Sequence, residues 1–385
     1  MIKIVQAHTF EIDDVDAAVD EILHQLTGQP LLKNSVGLVA CFSDFLGSGV
    51  VSALAEKLPF PLAGATTLAA SANGISGDTI LTLTVLTSDD VEFVAGMTGA
   101  INGEDEAPLR EAWEKTGGKR QDKAALMIGF APLLFNVSGD FFVESWSGIT
   151  GNVPIFGTLA VDHNDDYHEA QAIYGGEGFR DRFIFVLCYG KLEPRFFFGG
   201  IFQEKVFREK GVVTSSQGNQ LKGVNGVSVG DYLSSLGLTR DETGNIVGIN
   251  SFPFILDYND GTQPVIRVMF AITPDGSAVC GGKIPEGATL TVGNVNAEEV
   301  MRTSTDALLK ALESCRGKSM LIFSCVGRYF SLGFKAFMEM EKAEELLKET
   351  PFSFSYSGTE LCPVYDKDGK LTNRSHNDTI VICAL

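Results

Sequence analysis

The sequence feature that most constrains the fold is a unit that occurs three times in the same order. Each copy begins with an apolar strand and continues through a polar loop, a helix, a proline and a glycine-led turn, before one or two closing strands. The opening strands are residues 36–42, 124–130 and 320–325, and the turns are residues 61–67, 153–160 and 357–360. Loops that follow buried strands line the binding crevices of open α/β sheets, so three such loops can converge on one site. The alternative is an ordinary α/β order without homologous repeats.

Periodicity predicts the remaining elements and two domains. Helices are expected after residue 44, at 139–147, 297–314 and 334–348, hairpins at 79–96 and 183–202, and strands at 265–272, 277–281 and 289–292. Residues 211–230 are rich in Gly, Ser, Asn and Val, which is typical of a crossing between domains. We therefore predict a mixed α/β fold with a lead segment (1–33), a first domain (34–225) and a second domain (226–385), and with a ligand crevice at the strand carboxyl ends.

Composition excludes several classes of function. The chain has 385 residues, 44% of them hydrophobic, and a formal charge of -19. This charge repels nucleic acid and anionic membranes, whose binding depends on Lys and Arg. Because the first residues resemble no signal peptide and no stretch approaches ~20 apolar residues, we expect a cytoplasmic protein without membrane insertion. The seven cysteines form no CxxC pair, which indicates reduced, buried thiols and no zinc site.

Short motifs along most of the chain resemble the FIST family, in which a FIST N domain precedes a FIST C domain. The similar positions are residues 64–67, Phe156-Gly157 with Ala160 and Asp162, Arg267, residues 284–287, 323–328 and 358–360, and residues 376–379. The resemblance implies a sensory domain of bacterial signal transduction that binds small ligands such as amino acids. Some members are similar to haem-based nitric oxide sensors. With no kinase or cyclase segment in the sequence, we expect the output to be a separate protein of that kind.

Charged residues in these motifs are candidates for holding a ligand. Arg328 follows an apolar strand, and its planar guanidinium can pair with a ligand carboxylate. Glu360 lies in the third glycine-led turn and can bind an amine, and Arg267 is the reserve cation. The alternative for each arginine is a structural ion pair with one of the many acidic residues, and a solvated loop carboxylate is the alternative for Glu360.

Polar and thiol groups complete the candidate ligand-binding set. Thr66 and Thr67, with the amides after Gly64, can form an anion-binding nest, although turn formation alone also explains them. Asp162 and Asn377 join the set from the similar motifs. Cys325 is a nucleophile only if a neighbouring base lowers its pKa, and a small buried hydrophobe is the favoured alternative.

Histidines provide the basis for a different hypothesis, a haem-based gas sensor. His163, His168 and His376 lie in polar segments where an axial ligand is conceivable, although a surface loop or a structural turn explains them as well. The sequence has no Walker A motif, no GxSxG elbow and no HExxH motif. We therefore expect a ligand sensor rather than an enzyme, with no cofactor and with haem as the alternative. An enzyme that uses Cys325 or acidic residues is the third hypothesis.

Overall fold

The computed structural model describes residues 2–134, 136–164, 166–243 and 245–385. The strands in this part are β1 (Lys3–Thr9), β2 (Asn34–Cys41), β3 (Leu62–Thr66), β4 (Ala70–Ala72), β5 (Ile75–Gly77), β6 (Leu81–Ser88), β7 (Val91–Met97), β8 (Leu126–Ala131), β9 (Ile155–Leu159), β10 (Ala172–Tyr174), β11 (Glu177–Phe179), β12 (Ile184–Gly190), β13 (Arg195–Gly199), β14 (Gly211–Gln217), β15 (Gln220–Val224), β16 (Val227–Ser228), β17 (Phe254–Asp257), β18 (Val265–Arg267), β19 (Met269–Ile272), β20 (Ala278–Cys280), β21 (Thr289–Val292), β22 (Met320–Cys325), β23 (Phe352–Ser357), β24 (Glu360–Tyr365), β25 (Leu371–His376) and β26 (Ile380–Ala384). The helices are α1 (Val15–Leu26), α2 (Asp44–Gly47), α3 (Val50–Lys57), α4 (Ala107–Thr116), α5 (Gly139–Thr150), α6 (Val229–Ser235), α7 (Ala297–Ser314), α8 (Val326–Leu332) and α9 (Met338–Leu347).

Three six-stranded sheets share one strand order, which confirms the threefold repeat. The two central strands of each sheet run parallel and come from one copy of the unit: β2 with β3, β8 with β9, and β22 with β23. The first of each pair is flanked by an antiparallel strand (β6, β12 or β26) and then by an edge strand (β1, β7 or β13). The predicted units are therefore three copies of one mixed α/β sheet.

The last two strands of each sheet are a hairpin that belongs to another copy. The β4–β5 hairpin follows β3 but pairs with β23, and the β10–β11 hairpin follows β9 but pairs with β3. The β24–β25 hairpin follows β23 and pairs with β9. Each copy thus gives its hairpin to a neighbour, and the three exchanges close a ring.

The two hairpins predicted at residues 79–96 and 183–202 are wrong. β6 pairs with β1 and β2, whereas the next strand, β7, pairs with β12 in a different sheet. β12 and β13 are separated between sheets in the same way. The Ser88 hydroxyl accepts hydrogen bonds from the amides of Asp90 and Val91, at 3.2 and 3.1 Å, and so stabilises the bend that takes the chain to the next sheet. The alternation of residue types along the chain predicted the positions of the strands correctly, but it did not predict which strands pair with each other.

The glycines predicted to lead turns in the first two copies lie inside strands. Gly64 is in β3 and Gly157 is in β9, each opposite a residue of the parallel neighbour. A Cβ at these positions would come within 2.0 Å of the Val39 carbonyl oxygen and 2.1 Å of the Gly129 carbonyl oxygen, respectively. The register places Phe354, not Gly358, at the equivalent position of the third copy. These glycines are therefore required by a close approach between strands.

The hydrophobic core lies between the three sheets. Phe156 of β9 stacks on Phe323 of β22 with 5.2 Å between ring centroids, and Phe130 of β8 meets Phe323 edge-on at 6.5 Å. All three side chains are buried, and full burial of such a side chain is worth about 1.5–3 kcal/mol. The core thus couples the second and third copies directly.

A fourth sheet, formed by β14 to β21, packs beside this core. Its strands agree with those predicted at residues 265–272, 277–281 and 289–292, and α7 has the predicted bounds 297–314. Residue 225, where the sequence predicts the division between domains, lies between β15 and β16 of this sheet, and residues 3–9 of the predicted lead segment form the edge strand β1. None of the described helices is long and apolar enough to cross a membrane.

Candidate functional site

Backbone hydrogen bonds join the carboxyl ends of β3, β9 and β23 around one point, which we call the three-strand junction. The amides of Thr66, Leu159 and Tyr356 lie near the ends of these strands in the three copies. They donate to the carbonyl oxygens of Gln171, Thr359 and Ala69 at 2.9, 2.9 and 3.0 Å. Each acceptor immediately precedes a hairpin that one copy gives to another. The exchange of hairpins therefore brings the ends of β3, β9 and β23 together, whereas the sequence argument expects convergence of the polar loops that follow the three opening strands.

Thr66 and Thr67 lie at the junction, but they form hydrogen bonds that join its segments and do not form an anion-binding nest. The Thr66 amide donates to Gln171 and the Thr67 amide to the Cys41 carbonyl, so neither is free to bind an anion. The Thr67 hydroxyl donates to the carbonyl oxygen of Tyr356 at 2.7 Å. The predicted nest is therefore not present at these two amides.

Arg328 does not face a crevice. Its side chain is fully buried and forms an ion pair with Glu339 of α9, with Nη2 to Oε1 at 3.0 Å. Nη2 also donates to the Ser304 hydroxyl at 2.6 Å, and Nη1 lies 3.5 Å from the carbonyl oxygen of Asp378. Each guanidinium nitrogen thus has a protein acceptor, and the expectation that Arg328 holds a ligand carboxylate is replaced by the structural ion pair.

Arg267 is also fully buried, and it connects β18 of the fourth sheet to α5. It pairs with Asp140 of α5, with Nη2 to Oδ1 at 2.7 Å, and donates to the Tyr258 hydroxyl at 2.8 Å. Nη1 donates to the Ser375 carbonyl oxygen at 2.9 Å. This network replaces the expected role of Arg267 as a reserve cation for a ligand, because the charge of its guanidinium already has a buried partner.

Glu360 begins β24 at the junction and is fully buried. Its two carboxyl oxygens accept hydrogen bonds from the Ser357 hydroxyl at 2.7 Å and the Thr379 hydroxyl at 2.8 Å. Burial raises the pKa of Glu360 to about 8, although both hydrogen bonds lower it. The first residues of the other two exchanged hairpins are Ala70 and Ala172, so only the third copy has a carboxyl there.

Asp378 is the residue that the sequence reasoning missed, and it lies beside Glu360. It is 2% exposed, and its Oδ2 is buried without a hydrogen-bond partner. Burial raises the pKa of Asp378 to about 6, while Arg328 lowers it. The residue has φ 53, a left-handed conformation that Asn and Asp adopt most readily after glycine. An Asn-Asp pair just before a closing strand was the available signal.

Cys325 ends β22 against these carboxyls. Burial raises the pKa of its thiol well above the ordinary value, and both Glu360 and Asp378 raise it further. A thiol in such surroundings stays protonated and is a poor nucleophile. We call the group formed by Cys325, Gly327, Glu360 and Asp378 the acidic recess.

Asn377 and Asp162 carry buried oxygens without partners. The amide nitrogen of Asn377 donates to the Thr359 hydroxyl at 3.3 Å, beside the junction, while its Oδ1 has no hydrogen-bond partner. Asp162 accepts a hydrogen bond from the Asn164 amide at 2.6 Å, and its Oδ2 is likewise unpartnered. Buried acceptors of this kind are costly unless water or a ligand binds them.

The three histidines of the haem hypothesis have separate environments. His376 is fully buried, with Nε2 2.9 Å from the Cys362 carbonyl oxygen, and burial lowers its pKa to about 4. His163 packs edge-on against Phe42, and the exposed His168 pairs with Asp166 at 2.6 Å. The residue best placed for a buried ligand, His376, thus already uses one ring nitrogen. Within the described ranges, no group of three His, Cys, Asp or Glu residues is arranged to hold a metal ion.

Family models match both parts of the chain. The FIST N domain matches residues 35–227 and the FIST C domain matches residues 231–363. The chain belongs to the FIST family. FIST domains are sensory domains of signal transduction that bind small ligands, so a sensory protein with a small-molecule ligand is the coarse function that membership supports.

Other comparisons add little to the FIST assignment. No curated protein matches the sequence. Two solved structures of cyanuric acid hydrolases, one of them from A. caulinodans, are similar over 100% of this chain and 98% of theirs, with 8% and 9% sequence identity and TM-scores of 0.39 and 0.36. Likeness at this level carries no conclusion about the function of this FIST protein.

Proposed function

We propose that this FIST protein is a cytoplasmic sensor that binds an amino acid or a similar small metabolite at the three-strand junction. The observation that carries the proposal is the acidic recess, where Asp378 Oδ2 is buried without a partner beside β22, β24 and β26. A native structure retains such a group mainly where a ligand, water or function compensates it. The junction itself is closed, because Thr359, Asn377 and Asp378 are at most 5% exposed.

The sensor passes its state to a separate signalling protein, such as a kinase or cyclase, through α8. This helix starts directly after Cys325, and its Gly327 lies against Asp378. A ligand that enters the recess must displace the first turn of α8, and the displacement reaches residues 333–337 beyond its end. Hydrogen exchange of residues 326–337 that is the same with and without a bound ligand would contradict this route.

The proposal is of binding rather than catalysis. The support is the raised pKa of the Cys325 thiol, which disfavours a thiolate nucleophile. Haem binding is tested separately, because a haem protein has an intense Soret band after incubation with hemin. Absence of that band would exclude the haem alternative without affecting the ligand proposal.

A thermal shift screen with amino acids, amines and small carboxylates tests the proposal. A ligand at 100 times its dissociation constant adds about 2.7 kcal/mol of stability, which for a chain of this length is a rise of about 3 °C. The hit is then measured with Gly327→Ala, which places a methyl group in the recess, and with Gly148→Ala as the matched control. A Cβ on Gly148 would have no other atom within 4 Å, so the control should retain binding. A flat screen, or equal binding by both variants, would contradict the proposal.

A further inference from the structure

Each exchanged hairpin packs against helices of the copy whose sheet it joins. In the second copy, the side chain of Asn373 in β25 donates to the Ser147 hydroxyl of α5 at 2.9 Å. In the third copy, the amide of Gly74, in the turn between β4 and β5, donates to Glu344 of α9 at 3.1 Å. A hydrogen bond from a helix side chain thus joins hairpin and helix in both of these copies.

The first copy has no such bond between its helices and the hairpin that it receives. Within the described ranges, the hydrogen bonds of α2 and α3 stay within these helices and the residues that flank them. The β10–β11 hairpin approaches the helices through glycines: a Cβ on Gly176 would lie 2.9 Å from the Cα of Ser52, and one on Gly178 would lie 2.7 Å from the side chain of Leu46.

An open cleft of about 530 Å³ remains between α2, α3 and β11. This volume lies within the range of about 300–1,000 Å³ that small-molecule pockets have. The place of the helix-to-hairpin bond in the other two copies is therefore taken, in the first copy, by a space large enough for a small molecule.

Ser43, Asp44 and Glu177 line the cleft, and their side chains have no hydrogen-bond or ion-pair partner among the described residues. Ser43 is 9% exposed. Its hydroxyl lacks the capping bond that Ser138, just before α5, accepts from the Phe141 amide at 3.1 Å. A buried hydroxyl without a partner is costly unless water or a ligand bonds to it.

The charges of the cleft disfavour an anion and do not form a metal site. Asp44 and Glu177 are exposed and unpaired in the described part of the chain, while Glu169, the third acid of the lining, is paired with Arg180 at 2.7 Å. An anion is therefore repelled. No three His, Cys, Asp or Glu residues in the described ranges are arranged to hold a metal ion. The carboxylates lie on different walls, α2 and β11, so a ligand that contacts both must be extended.

The polar groups of the cleft match the hydroxyls of a neutral ligand. Carboxylate oxygens accept hydrogen bonds, and the hydroxyls of Ser43 and Ser52 both donate and accept, as a ligand hydroxyl does. An ammonium would use the acceptors alone, and ion pairs with exposed carboxylates contribute little. Leu46 adds half-buried apolar surface, against which the C–H groups of a ring can pack.

We propose that the cleft between α2, α3 and β11 binds a neutral cyclic polyol of monosaccharide size. Ser43 and Asp44 bind its hydroxyls from one wall, and Glu177 binds them from the other. The bound polyol forms the bridge between helix and hairpin that side chains form in the other two copies. None of the four residues of the acidic recess lines this cleft, so the site is additional to the proposed sensor site and does not depend on it.

Saturation-transfer difference NMR of the full chain tests the proposal at millimolar concentrations of glucose, galactose, xylose and myo-inositol. We expect saturation transfer to the ring protons of at least one of these polyols. The cationic comparison is 1,4-diaminobutane, which can pair with both carboxylates but has no hydroxyl, and we expect no transfer to it. Absence of transfer to all four polyols, or transfer to the diamine alone, overturns the inference.

Variants locate the bound polyol. Ser43→Ala and Asp44→Ala should each weaken its binding at least about 5-fold, because each removes a hydrogen bond to the ligand. Both should fold, since neither side chain bonds to another described residue. Asp16→Ala, which removes an exposed acid from the first turn of α1, is the matched control and should bind as the natural protein does. Undiminished binding in both cleft variants, or binding that Gly327→Ala abolishes instead, overturns the inference.

Discussion

The hydroxyl of Thr67 donates to the carbonyl oxygen of Tyr356 across 289 residues of sequence, at 2.7 Å. Both residues are buried at the ends of their strands. The bond joins the first copy to the third at the three-strand junction. It completes contacts that the backbone of Tyr356 already makes with Ala69.

Thr67→Val should lower the free energy of unfolding by about 1–3 kcal/mol, because the isosteric change removes the hydroxyl that donates to the buried carbonyl oxygen of Tyr356. Urea denaturation measures this difference. The matched control is Thr79→Val, since Thr79 is exposed and bonds only to its neighbour Asp78 within the described hydrogen bonds. Equal effects of the two substitutions would show that the Thr67 hydroxyl contributes nothing specific.

Arg328→Met should destabilise the protein by about 3–5 kcal/mol, because it leaves Glu339 buried without its cation. Denaturation of Arg328→Met and of Arg110→Met compares a buried with an exposed ion pair, and the exposed Arg110–Glu106 pair is worth less than about 1 kcal/mol. Combining Arg328→Met with Glu339→Gln should recover part of the loss. A stable Arg328→Met protein that has merely lost ligand affinity would restore the sequence-based role of Arg328.

The pH dependence of the unfolding free energy should reflect the titration of the Glu360 carboxyl. Its pKa is raised from 4.5 to about 8 by burial, so the folded state holds a proton that the unfolded state loses. This stabilisation is complete below pH 4.5 and is lost as pH rises through 8, by up to about 1.4 kcal/mol per pH unit.

Glu360→Gln removes this titration and should flatten the fall in unfolding free energy between pH 7 and 8. Chemical denaturation at several pH values measures the slope. The exposed Glu345→Gln should keep the slope of the natural protein. A slope unchanged in Glu360→Gln would mean that Glu360 is already ionised in the folded protein.

Gly157→Ala should prevent folding or cost more than about 3 kcal/mol, because its methyl would lie 2.1 Å from the Gly129 carbonyl oxygen. Gly148→Ala is the opposite case: it lies in the interior of α5 with free space around it, and should stabilise by about 0.5–1 kcal/mol. Thermal melts of both variants compare the two. A folded Gly157→Ala protein of natural stability would show that the strands do not approach as closely as described.

Much of the fold was predictable because strands and helices have local signals. The opening strands of the three copies, α7 and the strands of the fourth sheet follow from periodicity within a few residues. The exchange of hairpins does not, since alternation shows which face of a strand is buried but not which strand lies beside it. The predicted hairpins failed for that reason.

The candidate site was predictable only in outline. The sequence argument expects the polar loops after the opening strands to converge, whereas the junction is formed by the ends of β3, β9 and β23, with Glu360 beside it as the first residue of β24. The sequence does not identify the partner of Arg328, because Glu339 lies on a helix whose docking depends on tertiary packing. Asp378 was missed because a single acid before a strand resembles any surface turn, and its burial arises only when β22, β24 and β26 meet.

The exchange of hairpins also means that a sheet formed early in synthesis cannot be completed until a later part of the chain has been made. β9 is made early, but the strand that covers its edge, β24, emerges from the ribosome about 200 residues later. At about 5–20 residues per second, that edge stays open to other chains for roughly 10–40 s. We therefore expect the edge of β9 to need protection from other chains until the third copy has been synthesised.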